Sequence, residues 1–225
     1  MEVADGVLAR RHDELDLTTG LVIGTERALV IDTRGDARQG AELAAAVRAL
    51  TRLPLVVVIT HAHFDHCFGT AAFLPCPVYA HPRCRTAIET TAAEQRAEWS
   101  AYYRDHGDPA TAAALAATEP VLPEPAPARV DLGDRVAELL HLGRGHTDHD
   151  LLVRLGSVVF AGDLVEQGAP PSIGPDSDVA AWPATLDALL ALGPEVVVPG
   201  HGDPVDAAFV ADQRDTLAAR TTRTR

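Results

Sequence analysis

Apolar residues cluster with β-branched types over residues 20–24, 28–32 and 55–60. Each run is bounded by Gly, Pro or charged residues, so all three predict strands. Between the last two, residues 36–50 carry Leu43, Ala46, Val47 and Leu50 at helical spacing. A helix packing back on the sheet between two strands is the βαβ arrangement. Residues 69–74 predict a short helix, 77–80 a further strand, and 83–117 an alanine-rich helical stretch that Pro109 splits. Four prolines in the nine residues 119–127 suit neither a helix nor a sheet interior and predict an extended connector. Beyond it come strands at 136–140, 151–155, 158–161 and 195–198, with helices at 179–192 and 205–220. Two halves of similar style, 1–118 and 128–225, predict one α/β domain over residues 1–225, with two sheets face to face and helices outside.

Composition narrows what such a fold can do. Hydrophobic residues make up 47% of the 225, yet no apolar run is long enough to span a bilayer, so no membrane role is expected. A formal charge of −13, with no basic cluster longer than the C-terminal arginines 220–225, would repel a polyanion and argues against nucleic acid. Those terminal arginines read as a solvated, frayed tail. The first residues, Met1 to Asp5, have neither a basic n-region nor an apolar h-region, and Cys67, Cys76 and Cys84 form no CxxC pair. Free thiols and a cytoplasmic location are expected. The chain contains no lysine and no asparagine.

The chemistry concentrates just after the apolar strand 55–59, where His61, His63, Asp65 and His66 supply four potential metal ligands in six residues. Imidazole nitrogens and carboxylate oxygens suit a borderline cation such as zinc. Two histidines two apart can turn toward one ion while Asp65 and His66 turn toward another. His146, Asp163 and His201 each lie just beyond another apolar strand and beside glycine, which lets backbone turn sharply at a ligand. All four loops are expected to meet at one sheet edge.

At these residues the chain resembles the metallo-β-lactamase superfamily, through HxHxDH at 61–66, GHT at 145–147, GD at 162–163 and GHG at 200–202. The resemblance implies a four-layer αβ/βα sandwich of two mixed sheets. It further implies that His61, His63 and His146 hold one metal and Asp65, His66 and His201 a second, with Asp163 bridging. Two Zn2+ are expected, iron or manganese being compatible with the same ligands. Such a pair, about 3.5–4 Å apart, makes a bridging hydroxide at neutral pH that attacks a polarised carbonyl or phosphoryl group. Asp65 is then the catalytic residue that orients the nucleophile. Asp148 and His149 are candidates to fix ligand tautomers, and Arg144, Glu166 and Gln167 to contact substrate.

Other residues read more plainly. His12, His81, His106 and His141 lack a partner motif, Cys67 suits a buried small position, and Trp99 and Trp182 suit helix packing. The classical zinc β-lactamases place Cys or Ser where Asp163 stands, and several use a lysine and an asparagine that this chain lacks, which disfavours β-lactamase as the physiological role while leaving room for a slow side activity. The chain resembles glyoxalase II-like and quinoprotein-associated metallohydrolases more closely, although about one helix is expected after His201, where glyoxalase II has its helical thioester-binding domain, so a full glutathione-thioester site is not expected. The expected function is therefore hydrolysis of a small ester, thioester, lactone or amide. The alternative is a mononuclear iron protein of persulfide dioxygenase type, on His61, His146 and Asp163, or a non-catalytic metal protein, and the second alternative is a β-lactamase.

Overall fold

The hydrophobic pattern folds into two sheets whose inner faces meet. In the computed structural model, which describes residues 1–223, the chain runs β1 (Glu2–Ala4), β2 (Val7–Arg11), β3 (Thr18–Ile23), β4 (Ala28–Ile31), α1 (Ala37–Leu50), β5 (Leu55–Val58), α2 (Phe64–Cys67), β6 (Val78–Ala80), α3 (Pro82–Asp105), α4 (Pro109–Ala117) and β7 (Glu124–Pro125). It continues as β8 (Arg129–Asp131), β9 (Val136–Leu140), β10 (Leu152–Leu155), β11 (Val158–Glu166), α5 (Trp182–Ala191), β12 (Val196–His201) and α6 (Ala207–Arg223). The first sheet has the order β1-β2-β3-β4-β5-β6-β7 and the second β12-β11-β10-β9-β8. Both are mixed: β4, β5, β6 and β7 pair in parallel, as do β11 and β12, and the other pairs are antiparallel.

Strand β4 shows how the layers arise. Ala28 and Val30 face the cluster under the helices, with Leu43, Val47, Ile88 and Leu115. Leu29 and Ile31 face the second sheet, with Leu139, Val153, Phe160 and Val198. A strand buried on both faces alternates between two cores at period two, so it must be apolar throughout. A third cluster packs Val159 and Val197 against Trp182, Leu186, Val210 and Leu217 of α5 and α6. The result is the αβ/βα sandwich.

Several boundaries differ from the sequence expectation. The stretch 83–117 breaks at residues 106–108, where Gly107 adopts φ +85°, and Pro109 opens α4 with Asp108 as its cap. The short helix expected at 69–74 is one turn of α-helix at 64–67 followed by a 3₁₀ turn at 68–73. The connector 119–127 is extended, but Glu124 and Pro125 pair with Tyr79 and Ala80 as an edge strand, the one place in a sheet that tolerates proline. The hairpin β1–β2 and strand β8 were not anticipated. The expected tail at 220–225 is helical through Arg223, and the rest of it lies outside the described residues. Among the described residues no helix is long and apolar enough to cross a membrane.

Candidate metal centre

The site lies where the carboxyl ends of β5 and β12 meet the bulge in β11 and the loop between β9 and β10, and backbone geometry brings each side chain there. After β5 the chain enters α2, which carries Asp65 and His66, while His61 and His63 precede it. His63 is pinned from both sides by Gln95 of α3, which donates to the Ala62 carbonyl at 3.0 Å and accepts the Phe64 N–H at 2.8 Å. Asp163 lies inside β11, where a register shift and Gly162 at φ +53° redirect the strand, rather than in the loop expected after residue 161. His201 ends β12. A methyl group on the neighbouring Gly200 would overlap Asp163 Oδ1, so only glycine allows the two ligands to approach.

All seven expected ligands come together. His61, His63, His146 and Asp163 form one cluster and Asp65, His66 and His201 another, with ligand atoms in each within 4.8 Å of one another. His63 Nδ1 is 3.1 Å from His61 Nε2 and 2.9 Å from His146 Nε2, and His66 Nε2 is 3.4 Å from His201 Nε2.

The outward nitrogens decide what the inward ones are. His66 Nδ1 meets Asp32 Oδ2 at 2.8 Å, His146 Nδ1 the Ser172 carbonyl at 3.1 Å, His201 Nδ1 the Leu15 carbonyl at 2.7 Å, and His63 Nε2 the Asp176 carboxylate at 3.0 Å. His61 Nδ1 meets Thr60 Oγ1 at 3.1 Å, and that hydroxyl already donates to Asp32 at 2.8 Å. Every outward partner is thus an acceptor, so every outward nitrogen carries the proton. The inward nitrogens of neutral rings then face one another lone pair to lone pair, an arrangement that needs a cation between them. Asp163 Oδ1 points the same way: it is buried without a properly directed hydrogen bond, although His66 Nε2 lies 3.1 Å away. The donor set therefore fits a metal ion.

Charge balance agrees. Burial opposes a proton on His66, but Asp163, Asp65 and Asp32 outweigh it and hold its pKa well above the usual value. Burial likewise opposes a charged His201, yet Asp163 and Asp65 lift it to about 10. At His61 and His146 the same Asp163 carboxylate does not outweigh burial. Burial drives His146 down to about 4, and burial with the neighbouring His66 drives His61 well below the ordinary range. Burial also works against an ionised Asp163, but the surrounding imidazoles hold its pKa well down. Protons and a metal cation compete for the same nitrogens.

The remaining candidates occupy other places. His149 Nε2 accepts the Ala62 N–H at 3.2 Å and its Nδ1 donates to Asp148 at 2.9 Å, so this pair braces the ligand loop rather than fixing a ligand tautomer. Glu166 is buried and accepts the Ser172 N–H at 2.7 Å. Gln167 takes the His201 carbonyl and the Asp203 N–H, both at 2.9 Å. Arg144 sits exposed at the rim, 3.9 Å from Asp178. Trp182 is buried, donating to the Leu164 carbonyl, and Trp99 stacks on Phe64 with ring centres 4.5 Å apart. Cys67 is buried, and burial pushes its thiol pKa well up. The residues that orient the ligands, Asp32, Thr60, Asp176, Ser172 and Leu15, were not anticipated. Only Asp32 had a visible signal, an acidic residue closing the apolar run 28–31.

Known proteins place this geometry. The family model of the metallo-beta-lactamase superfamily matches residues 14–201. A metallo-beta-lactamase type 2 of Bacillus sp. (strain 170) is 27% identical over 208 residues, covering 89% of this chain and 72% of that relative. The protein of the same name from Bacillus cereus is 26% identical, with 89% and 73% covered. Among solved structures, a metallo-beta-lactamase from Pontibacter korlensis superposes with a TM-score of 0.73 at 21% identity over 97% of both chains. One from Erythrobacter litoralis superposes with a TM-score of 0.71 at 18% identity, over 97% of this chain and 95% of the other. With the model spanning most of its length, the chain belongs to the metallo-beta-lactamase superfamily.

Proposed function

We propose that the chain is a dinuclear zinc hydrolase of small acyl substrates, an ester, thioester, lactone or amide. The observation that carries this reading is the convergence of five imidazoles, each with its outward nitrogen committed as a donor, on two carboxylates in one place. His61, His63 and His146 would hold one ion and Asp65, His66 and His201 the other. Asp163 reaches both groups: Oδ2 lies 3.5 Å from His146 Nε2, and Oδ1 lies 3.1 Å from His66 Nε2. Two zinc ions seated there would supply the chemistry, lowering the pKa of coordinated water toward neutrality and polarising a carbonyl oxygen.

The chain's own residues do the rest. His63, His201 and Asp65 are the ligands with exposed side-chain surface, 28%, 16% and 12%, so substrate arrives over them. Asp65 stands on that open side, where its carboxylate can take a proton from the attacking water. Arg144 at the rim is available to a substrate anion. The names of the curated relatives favour including β-lactams among the substrates tried. The absence of lysine and asparagine removes two side chains that could grip a β-lactam.

The test is a panel of thioesters, lactones, esters and β-lactams assayed on metal-quantified protein, with His63→Ala as control. Two zinc ions per chain and hydrolysis of one class, lost in the variant, is the expected result. One iron per chain with oxygen consumption would instead establish the redox alternative.

A further inference from the structure

Residues 167–181, between β11 and α5, form a strap without helix or strand that passes over the first cluster of ligands. The Ser172 carbonyl accepts His146 Nδ1, the Asp176 carboxylate meets His63 Nε2, and Ser177 Oγ donates to the His146 carbonyl at 2.8 Å. Two of the three histidines in this cluster therefore take their orientation from one irregular segment. What holds the segment is a question of its own hydrogen bonds.

Pro170 and Pro171 have no N–H to offer, and among the described residues the N–H groups of Gly168 and Ala169 have no hydrogen-bond partner. Over residues 168–172 the remaining backbone donor is Ser172 N–H, and it goes to Glu166 Oε1 at 2.7 Å. Glu166 itself is fixed. Its own N–H donates to Gln213 Oε1 of α6 at 3.1 Å, and Gln213 Nε2 donates to the Leu164 carbonyl at 2.8 Å. A side chain held on a strand, braced by a helix and ending on the residue that carries the His146 acceptor, transmits the position of the frame to a ligand.

We propose that Glu166 is a positioning residue for the metal cluster of His61, His63 and His146: by anchoring Ser172 it holds the strap whose carbonyl and carboxylate keep His146 and His63 in their metal-binding tautomers. This rests on the metal reading given above. Groups that orient metal-ligating histidines are worth about 10–100-fold in metal affinity. Glu166 is not among the clustered groups that would hold the metals, so its effect runs through hydrogen-bond geometry, and an uncharged acceptor should serve nearly as well.

The experiment is zinc competition against a chromophoric chelator on the full chain, for the parent, Glu166→Ala, Glu166→Gln and Ser172→Pro, with imidazole tautomers read from long-range ¹H–¹⁵N spectra. Expected are one zinc weakened about 10–100-fold in Glu166→Ala and the other unchanged within about threefold. In the same variant the His146 signal leaves the Nδ1–H pattern. Glu166→Gln, whose side-chain carbonyl can still accept Ser172 N–H, should restore both readouts. Ser172→Pro, which deletes the donor and keeps Glu166, should reproduce Glu166→Ala even if that variant folds poorly. Parent-like zinc binding in both Glu166→Ala and Ser172→Pro, or a glutamine variant as weak as the alanine one, overturns the assignment while leaving the metal reading intact. A parent chain that binds no zinc overturns both.

Discussion

Asparagine at position 32 isolates the electrostatic part of ligand orientation. Asp32 is 1% exposed, and its two oxygens accept three hydrogen bonds, from Thr60 N–H, Thr60 Oγ1 and His66 Nδ1, each at 2.8 Å. Its backbone sits at φ +62°, a conformation that asparagine tolerates as readily as aspartate, so Asp32→Asn adds no backbone strain. Asparagine has one acceptor oxygen and one NH2 group. Whichever way it turns, at least one of the three donors meets another donor in a dry interior. Losing one charge-assisted bond and leaving one buried donor opposed should cost about 2–4 kcal/mol of stability in the metal-free chain. His66 is then free to flip, and zinc affinity should fall about 10–100-fold, or about 1.4–2.8 kcal/mol. Urea unfolding in the presence of a chelator measures the first quantity, and zinc competition measures the second. An unchanged unfolding midpoint together with zinc affinity within threefold of the parent would refute the reasoning, because it would mean that Asp32 does not set the His66 tautomer.

Gly200→Ala should displace Asp163 and cost about 1–3 kcal/mol of overpacking strain, so both the melting temperature and the bound zinc should drop; a parent-like variant would show that the two strands have room to part. Zinc affinity should rise with pH, because His66 is held well above its ordinary pKa and His201 at about 10, and zinc must displace those protons. The expected slope between pH 6 and 9 is up to about tenfold per pH unit for each proton released, and a flat profile contradicts the charge balance. His12 is lowered from 6.5 to about 4, chiefly by burial and then by Arg34 and Arg10. A depressed folded-state pKa contributes stability that is present above 6.5 and lost as pH falls through about 4. His12→Gln should therefore flatten the acid limb of the stability profile, and an unaltered limb would place that loss elsewhere.

The candidate ligands were legible in the sequence because four of them, His61, His63, Asp65 and His66, crowd directly behind an apolar strand, while His146, Asp163 and His201 each stand beside a glycine, combinations that packing alone does not call for. The layered fold was legible for a related reason: strands such as β4 and β5 are apolar on both faces, which only a sheet covered on both sides requires. What could not be read is how the ligands are held. Leu15 and Ser172 act through their carbonyls, and a carbonyl has no residue-type signature. Asp32 meets His66 across 34 residues, and Asp176 meets His63 across 113. Asp163 was expected in a loop, because a strand that continues through a glycine bulge looks, in sequence, like a strand that has stopped.

The division of the ligands between the two sheets has a consequence for how the molecule comes apart. Four of them, His61 to His66, follow strands of the first sheet, while His146, Asp163 and His201 belong to the second, with His63 and His146 separated by 83 residues and His66 and His201 by 135. A metal ion held across that divide would act as a reversible cross-link closing a long chain loop, and restraints of that kind are worth on the order of 4 kcal/mol in the unfolded ensemble. Chelation would then do more than silence chemistry. It would unlatch the sandwich along its own midplane, and amide exchange should quicken first where Leu29, Ile31, Phe160 and Val198 meet between the sheets.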